Sequence, residues 1–392
     1  MTIIKLVQIM TTDFGVYIHI PFCKQKCFYC DFPSFAGREK YIDEYLKSLH
    51  RELELAAKKI GAGGQLPPCT IYIGGGTPSH LTVSQLARLL DGIQDHIQVK
   101  TVTEFTMEVN PCSVDKEKLR LMRDKGINRI SMGVQSFDDG CLKRIGRLHT
   151  GDMAVERVKL AQEVGFTNIS IDLMYGLPGQ TLDMLQASLD TAAELGVQHI
   201  SLYGLQLEEG TVLAKQQAME KLRLPSEEDT EAMYDYLVNF LPAHGFQRYE
   251  ISNYALPGFA SRHNCLYWQD VPYIGLGSGA HSYWQGNRYE NPVDIRDYIQ
   301  AIAEDKFLHI VEETVSDKAH MEEFCFLGLR MTQGIDKEQF RLRFNKDINE
   351  VFGDGIKEMM TKGLLQERDG ALALTPMGMK YGNMVFGAFI IE

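Results

Sequence analysis

No apolar run in this 392-residue chain reaches the roughly 18 residues that a membrane-spanning helix needs. A spanning helix is therefore not expected, and peripheral membrane contact is left open. The start, MTIIKLVQIMTT, lacks both a basic leader and a small-residue cleavage site, which argues against a secretory signal peptide. Positive charge is in the minority. Forty Lys and Arg stand against 52 Asp and Glu, a net charge of −12, which speaks against general nucleic-acid binding. Cysteines are too few for a disulfide framework. Of the eight, three are clustered and five (Cys69, Cys112, Cys141, Cys265, Cys325) are scattered, a usage that fits a reducing cytoplasm. The scattered five read first as packed structural thiols. Fixed-period repeats, low-complexity tracts and a Gly-Lys-Ser/Thr phosphate loop are also missing. What remains is an ordinary globular composition, 44% hydrophobic and 23% charged. Its expected partners are small molecules or proteins with complementary patches.

What is present is an alternation. Stretches 16–20, 70–73, 104–109, 129–134, 168–173 and 199–205 are rich in β-branched and apolar residues. Between them, 39–57, 84–95, 116–125, 152–164 and 182–195 have helical periodicity. Ser113-Val114-Asp115-Lys116-Glu117 can cap a helix start, and Gly126 and Gly165 fit helix ends. Such βα repeats predict an α/β fold, a full or partial (β/α)6 TIM-like barrel with its site at the C-terminal strand ends. From about Ser316 the chain becomes helix-rich, then turns at Asp369-Gly370 between two short strands. This predicts a C-terminal helical, winged-helix-like domain, and the acidic net charge favours packing on the barrel over binding DNA. The expected division is a leader 1–12, a barrel core 13–250, a connecting region 251–310 and the C-terminal domain 311–392.

Cys23, Cys27 and Cys30 follow the first predicted strand in a C-x3-C-x2-C loop. Thiolates gathered so closely suit a soft metal centre. A structural zinc wants a fourth protein ligand, and iron–sulfur clusters commonly take four thiolates. Here Asp31 and Phe32 come next, so a four-iron cluster on this loop would keep one iron open. Gly74-Gly75-Gly76-Thr77-Pro78 follows the second strand and reads equally as a tight turn or as a close approach of backbone to ligand. Glu108, Asn110, Gln135 and Asp172 lie at later strand ends, and Arg147 in the connection after the fourth. Such a set suits a ligand with an amine, a carboxylate, ribose hydroxyls and a purine.

The cysteine loop with an aromatic before its last cysteine, followed by GGGTP, resembles the radical S-adenosylmethionine superfamily. The segments YIHIPFC, GGGTP, MEVNP, RISMGVQSF, IGRLH and IDLMYGLPGQT narrow the resemblance to the branch of oxygen-independent coproporphyrinogen III oxidase and the HemW heme chaperones. It implies a radical SAM barrel. Cys23, Cys27 and Cys30 would hold a 4Fe-4S cluster, whose open iron chelates S-adenosylmethionine. Tyr17, Tyr29, Gly75, Gly76, Thr77, Glu108, Gln135, Arg147 and Asp172 would contact that cofactor.

Two departures weigh against the oxidase. Its motif continues to a further cysteine where this chain has Phe32, and its longer N-terminal extension is here a short leader. His263-Asn264-Cys265-Leu266-Tyr267-Trp268 resembles instead the HNxxYW signature of the chaperones. The resemblance implies a cytoplasmic heme chaperone, with His263 as the candidate axial ligand and Cys265 behind it. Its implied partners are heme and heme-accepting proteins, respiratory and membrane-associated ones included, with a homodimer as a further expectation. The alternatives are a coproporphyrinogen III dehydrogenase and a zinc-binding barrel protein. From chemistry alone, a packed loop with a satisfied histidine explains the HNxxYW segment as well.

Overall fold

The computed structural model describes residues 13–61, 63–308 and 311–391; the expected leader 1–12 lies outside them. Six strands lie side by side in chain order, all parallel: β1 (Gly15–Ile20), β2 (Thr70–Gly75), β3 (Glu104–Val109), β4 (Arg129–Gln135), β5 (Ile169–Tyr175) and β6 (His199–Gly204). Helices fill the connections, among them α1 (Ile42–Lys59) after β1. Asp115 caps the helix Lys116–Asp124 by accepting from the Lys118 N–H. Gly165 ends Gly151–Val164 in the left-handed region.

Each strand carries two chemistries at period two. One face is apolar and fully covered by helices, as at Val16, Ile18, Ile71, Ile73, Ile130, Met132, Ile169 and Ile171. The other face is polar: Thr70 and Tyr72, Glu104 and Glu108, Arg129 and Ser131, Ser170 and Asp172, His199 and Ser201. Barrels with filled cores use branched apolar residues there. This one has a polar lumen.

The barrel is an arc rather than a closed cylinder. Beside β1 the sheet continues through Tyr273–Leu276 (parallel) and then His281–Trp284, Asn287–Glu290 and Val311–Thr314 (antiparallel). Beside β6 it continues through Asn253–Ala255 and Gln247–Arg248. The stretch expected to connect domains thus also supplies strands.

The C-terminal domain has helices Asp317–Arg330, Lys337–Phe344 and Ile348–Thr361 and a hairpin of Leu365–Arg368 with Ala371–Leu374. Its own core contains Phe324, Cys325, Phe340, Phe352, Leu372 and Phe389. Buried Asp270 ties it to the barrel: it meets His320 Nε2 at 2.7 Å and forms an ion pair with Arg343 at 2.9 Å. Arg330 lies over the Trp268 ring, 4.2 Å from its centroid. No helix among the described residues is long and apolar enough to cross a membrane.

Candidate functional site

A cavity of about 1300 Å³ opens at the C-terminal strand ends and runs to the C-terminal domain. The cysteine loop forms one end of it. Backbone bonds fix that loop: Phe28 N–H to the Ile145 carbonyl, 3.0 Å, and Leu213 N–H to the Phe28 carbonyl, 2.9 Å. The glycine loop after β2 holds it from the other side. Gly76 N–H donates to the Ile20 carbonyl and Thr77 N–H to that of Phe22, both at 2.9 Å. Thr77 Oγ1 lies 3.5 Å from Cys23 Sγ.

Glycine is required here. Gly75 has φ +111°, and a Cβ on it would lie 2.5 Å from the His19 ring. Sequence reasoning left this loop between a turn and a ligand cradle. It is a tight turn that clamps the cysteines, and Gly75, Gly76 and Thr77 also line the cavity.

The three sulfurs are not all within 4.8 Å of one another. One tetrahedral zinc, with Zn–S of about 2.3 Å, would draw them to about 3.8 Å. Their wider spread and soft donor set fit a polynuclear cluster better. Burial pushes the Cys23 and Cys30 thiols up. Arg147 Nη1 lies 3.4 Å from Cys27 Sγ, and Nη2 donates to the Gly133 carbonyl. Its Nε is buried without a partner.

Glu108 accepts from Tyr72 Oη (2.8 Å) and Gly75 N–H (3.2 Å). Burial, reinforced by Asp172, raises its pKa to about 7. Asp172, also raised by burial, accepts from the Ser131 hydroxyl at 3.4 Å. Gln135 has φ +67° beside a register shift between Gly133 and Gln135. Such bulges re-aim side chains near functional sites, and Gln135 lines the cavity.

Cys23, Cys27, Cys30, Tyr29, Gly75, Gly76, Thr77, Glu108, Gln135, Arg147 and Asp172 therefore face one space. Tyr17 does not line it. Its Oη is 2.9 Å from His19 Nδ1, and its ring stacks on Tyr72.

His263 stands apart, at the barrel floor. The helix Arg262–Trp268 plugs the N-terminal end of the lumen. Its first N–H groups, at Arg262 and His263, donate to the Glu104 carboxylate at 2.8 and 3.0 Å. His263 is 1% exposed. Nδ1 is 2.8 Å from Thr70 Oγ1 and Nε2 is 2.9 Å from Tyr267 Oη. Its ring stacks on Tyr72, and burial lowers its pKa to about 3. Both nitrogens are engaged, so a bond to iron needs one contact broken. Burial pushes the Cys265 thiol up to about 12. We expect His263→Ala to destabilise the protein by roughly 2–4 kcal/mol, from the vacated volume and the unpaired Thr70 and Tyr267 hydroxyls. Urea unfolding measures this; a loss under about 0.5 kcal/mol, within the usual range of surface substitutions, would refute the floor plug.

Sequence reasoning missed Arg129, Tyr72, Ser131 and Ser201 in the lumen, and the wall formed by Tyr203, Tyr234, Arg330, Met379, Lys380 and Met384. The lumen residues carried a signal, the period-two polar face of each strand. The wall residues come from four separate segments and carried none.

The family model described as the Radical SAM superfamily matches residues 17–192, and that of the HemN C-terminal domain matches 315–380. The chain is 40% identical to the Heme chaperone HemW of Bacillus subtilis (strain 168), over 96% of this chain and 99% of that one. It is 33% identical to the Heme chaperone HemW of Escherichia coli (strain K12), over 96% and 98%. Among solved structures, coproporphyrinogen III oxidase (HemN) of Escherichia coli superposes with a TM-score of 0.82 at 22% identity, over 96% of this chain and 90% of that one, a likeness of fold.

Proposed function

The chain belongs to the heme chaperone HemW family of the radical SAM superfamily, and from that premise we propose that it binds heme and delivers it to heme-dependent proteins. The observation that carries this reading is the two-sided cavity. Thiols and polar strand ends line one side, and Tyr203, Tyr234, Met379, Met384 and Phe386 the other. At about 1300 Å³ it exceeds the ~300–1,000 Å³ of an ordinary ligand pocket, which leaves room for two ligands. Aromatic rings and methionines suit a macrocycle face.

In this reading Cys23, Cys27 and Cys30 hold a 4Fe-4S cluster, and S-adenosylmethionine lies across the strand ends. The bound cluster offers an open iron and an electron for the sulfonium. Glu108 accepts from the cofactor's amine, and Arg147 faces its carboxylate. Tyr29, Gly75, Gly76, Thr77, Gln135 and Asp172 complete the contacts. Tyr17 acts from beneath, through His19 and Tyr72. Heme lies against the apolar wall, and the floor plug keeps His263 in its packed role.

Recipients are heme-accepting proteins in the cytoplasm, respiratory ones at the membrane included. Peripheral membrane contact and a homodimer belong to the same reading; vesicle flotation and sedimentation velocity test them, and a protein that neither floats nor exceeds monomer mass rejects both.

The central test uses anaerobically reconstituted protein. Heme titration should saturate, read by absorbance; no saturation rejects the chaperone. Incubation with reductant, S-adenosylmethionine and coproporphyrinogen III should release no protoporphyrinogen, because Phe32, 62% exposed, stands where the oxidase has its extra cysteine. Protoporphyrinogen formation would make the chain an oxidase.

A further inference from the structure

Five cationic side chains line the cavity: Lys26, Arg129, Arg147, Arg330 and Lys380. Four are engaged. Lys26 donates to the Phe32 carbonyl at 2.8 Å. Arg147 holds Cys27 and Gly133. Arg330 reaches Glu250 at 3.5 Å and stacks on Trp268. Lys380 pairs with Glu231 and Asp235. Arg129 is the exception. It is 1% exposed, its Nε is buried without a partner, and it forms no hydrogen bond or ion pair among the described residues.

A guanidinium keeps its charge throughout the pH range of a folded protein, and an unpaired buried charge is costly. The neighbouring carboxylates make no hydrogen bond or ion pair with it. Glu108 is bound to Tyr72 and Gly75, and Asp172 to Ser131. Burial raises the pKa of both, against the pull of the Arg129 charge. Thr106 sits opposite Arg129 in the strand register, and its buried hydroxyl lacks a partner as well. Below lie His199 and His263, both held neutral by burial. The one carboxylate at that end, Glu104, is taken up by the Arg262 and His263 N–H groups and the Ser261 hydroxyl.

We propose that Arg129 is an anion anchor that receives a propionate carboxylate of heme bound in the cavity. This rests on the heme reading above. A planar fork of N–H donors matches a carboxylate in two-pronged geometry. The carboxylate of S-adenosylmethionine is the other source of the same chemistry, and the reading above assigns that carboxylate to Arg147. Arg129 opens β4 and Gln135 closes it, about 20 Å apart at ~3.3 Å per residue. The cysteine loop and Arg147 lie at the Gln135 end.

The test titrates heme and heme dimethyl ester, whose propionates carry no charge, into wild type and Arg129→Met. Wild type should bind heme roughly tenfold or more tightly than the diester. Arg129→Met should bind both alike, at the diester level, with unchanged affinity for S-adenosylmethionine by equilibrium dialysis. Three results overturn the anchor: a wild type indifferent to esterification, a variant that still prefers heme, or a variant that loses S-adenosylmethionine binding instead. Should Arg129→Met not fold, the wild-type comparison stands. Arg129→Lys, which keeps charge without the fork, should then show a reduced preference; an undiminished one overturns the anchor. A wild type that binds neither porphyrin rejects the heme reading itself, a result distinct from equal binding of both.

Discussion

Alanine at Cys23, Cys27 or Cys30 is expected to leave the reconstituted protein with essentially no iron or acid-labile sulfide. The loop offers three thiolates to four irons, with no fourth cysteine in C-x3-C-x2-C-D-F. Each ligand is therefore a third of the protein's hold on the cluster. Loss is expected to be nearly all-or-none, because a cluster on two thiolates presents two open irons to water and oxidant. Cys112→Ala, Cys265→Ala and Cys325→Ala serve as controls and should keep full iron. Cys265 and Cys325 are thiols that burial pushes up, and Cys325 lies in the C-terminal core. Retention of more than half the iron after any single change in the trio would refute the assignment. Zinc in place of iron in wild type would restore the zinc-barrel alternative.

Glu52→Ala is expected to cost roughly 3–5 kcal/mol of stability, because it leaves three buried donors without their acceptor, at about 1–3 kcal/mol each. Glu52 lies on α1 and is fully buried. Its carboxylate receives Gly277 N–H, Asn291 Nδ2 and Tyr298 Oη, each at 2.7 Å. Alanine leaves all three donors dry. The same residue sets a pH dependence. Burial lifts its pKa from the ordinary 4.5 to about 7, against the pull of Tyr298, Gly277 and Asn291. A folded pKa above the unfolded one means full support below about pH 4.5 and progressive loss as pH rises through about 7. The difference is worth about 3 kcal/mol. Urea unfolding from pH 5 to 8 should therefore show a falling stability in wild type that is shallower by this amount in Glu52→Gln. Identical slopes would remove Glu52 as the cause.

The six parallel strands were legible in the sequence because each reads as a short apolar run bounded by helical periodicity. The strand ends were legible too, since βα folds put chemistry there. Gln135 shows the limit: its residue type was visible, but its positive φ and the register shift that aim it were not. His263 shows a deeper one. The residue types of HNxxYW suit a macrocycle, yet a seven-residue helix says nothing of where it packs. Its decisive partner, Glu104, is 159 residues from His263, and only the curved sheet brings them together. Arg129 was hidden for the opposite reason. In the string RISMGVQSF it is one cation among 40 Lys and Arg, and its isolation exists only in three dimensions.

The plugged floor has a consequence for traffic. Thr70, Glu104, His199, Ser261 and His263 are all buried at that end, so nothing passes through the barrel. A cargo in the lumen leaves by the rim it entered, and delivery is loading run in reverse. The receiving protein must therefore approach the face that carries the cysteine loop and the C-terminal wall. There it meets the donor's cofactor and its cargo together, and an occupant across the strand ends stands in the doorway.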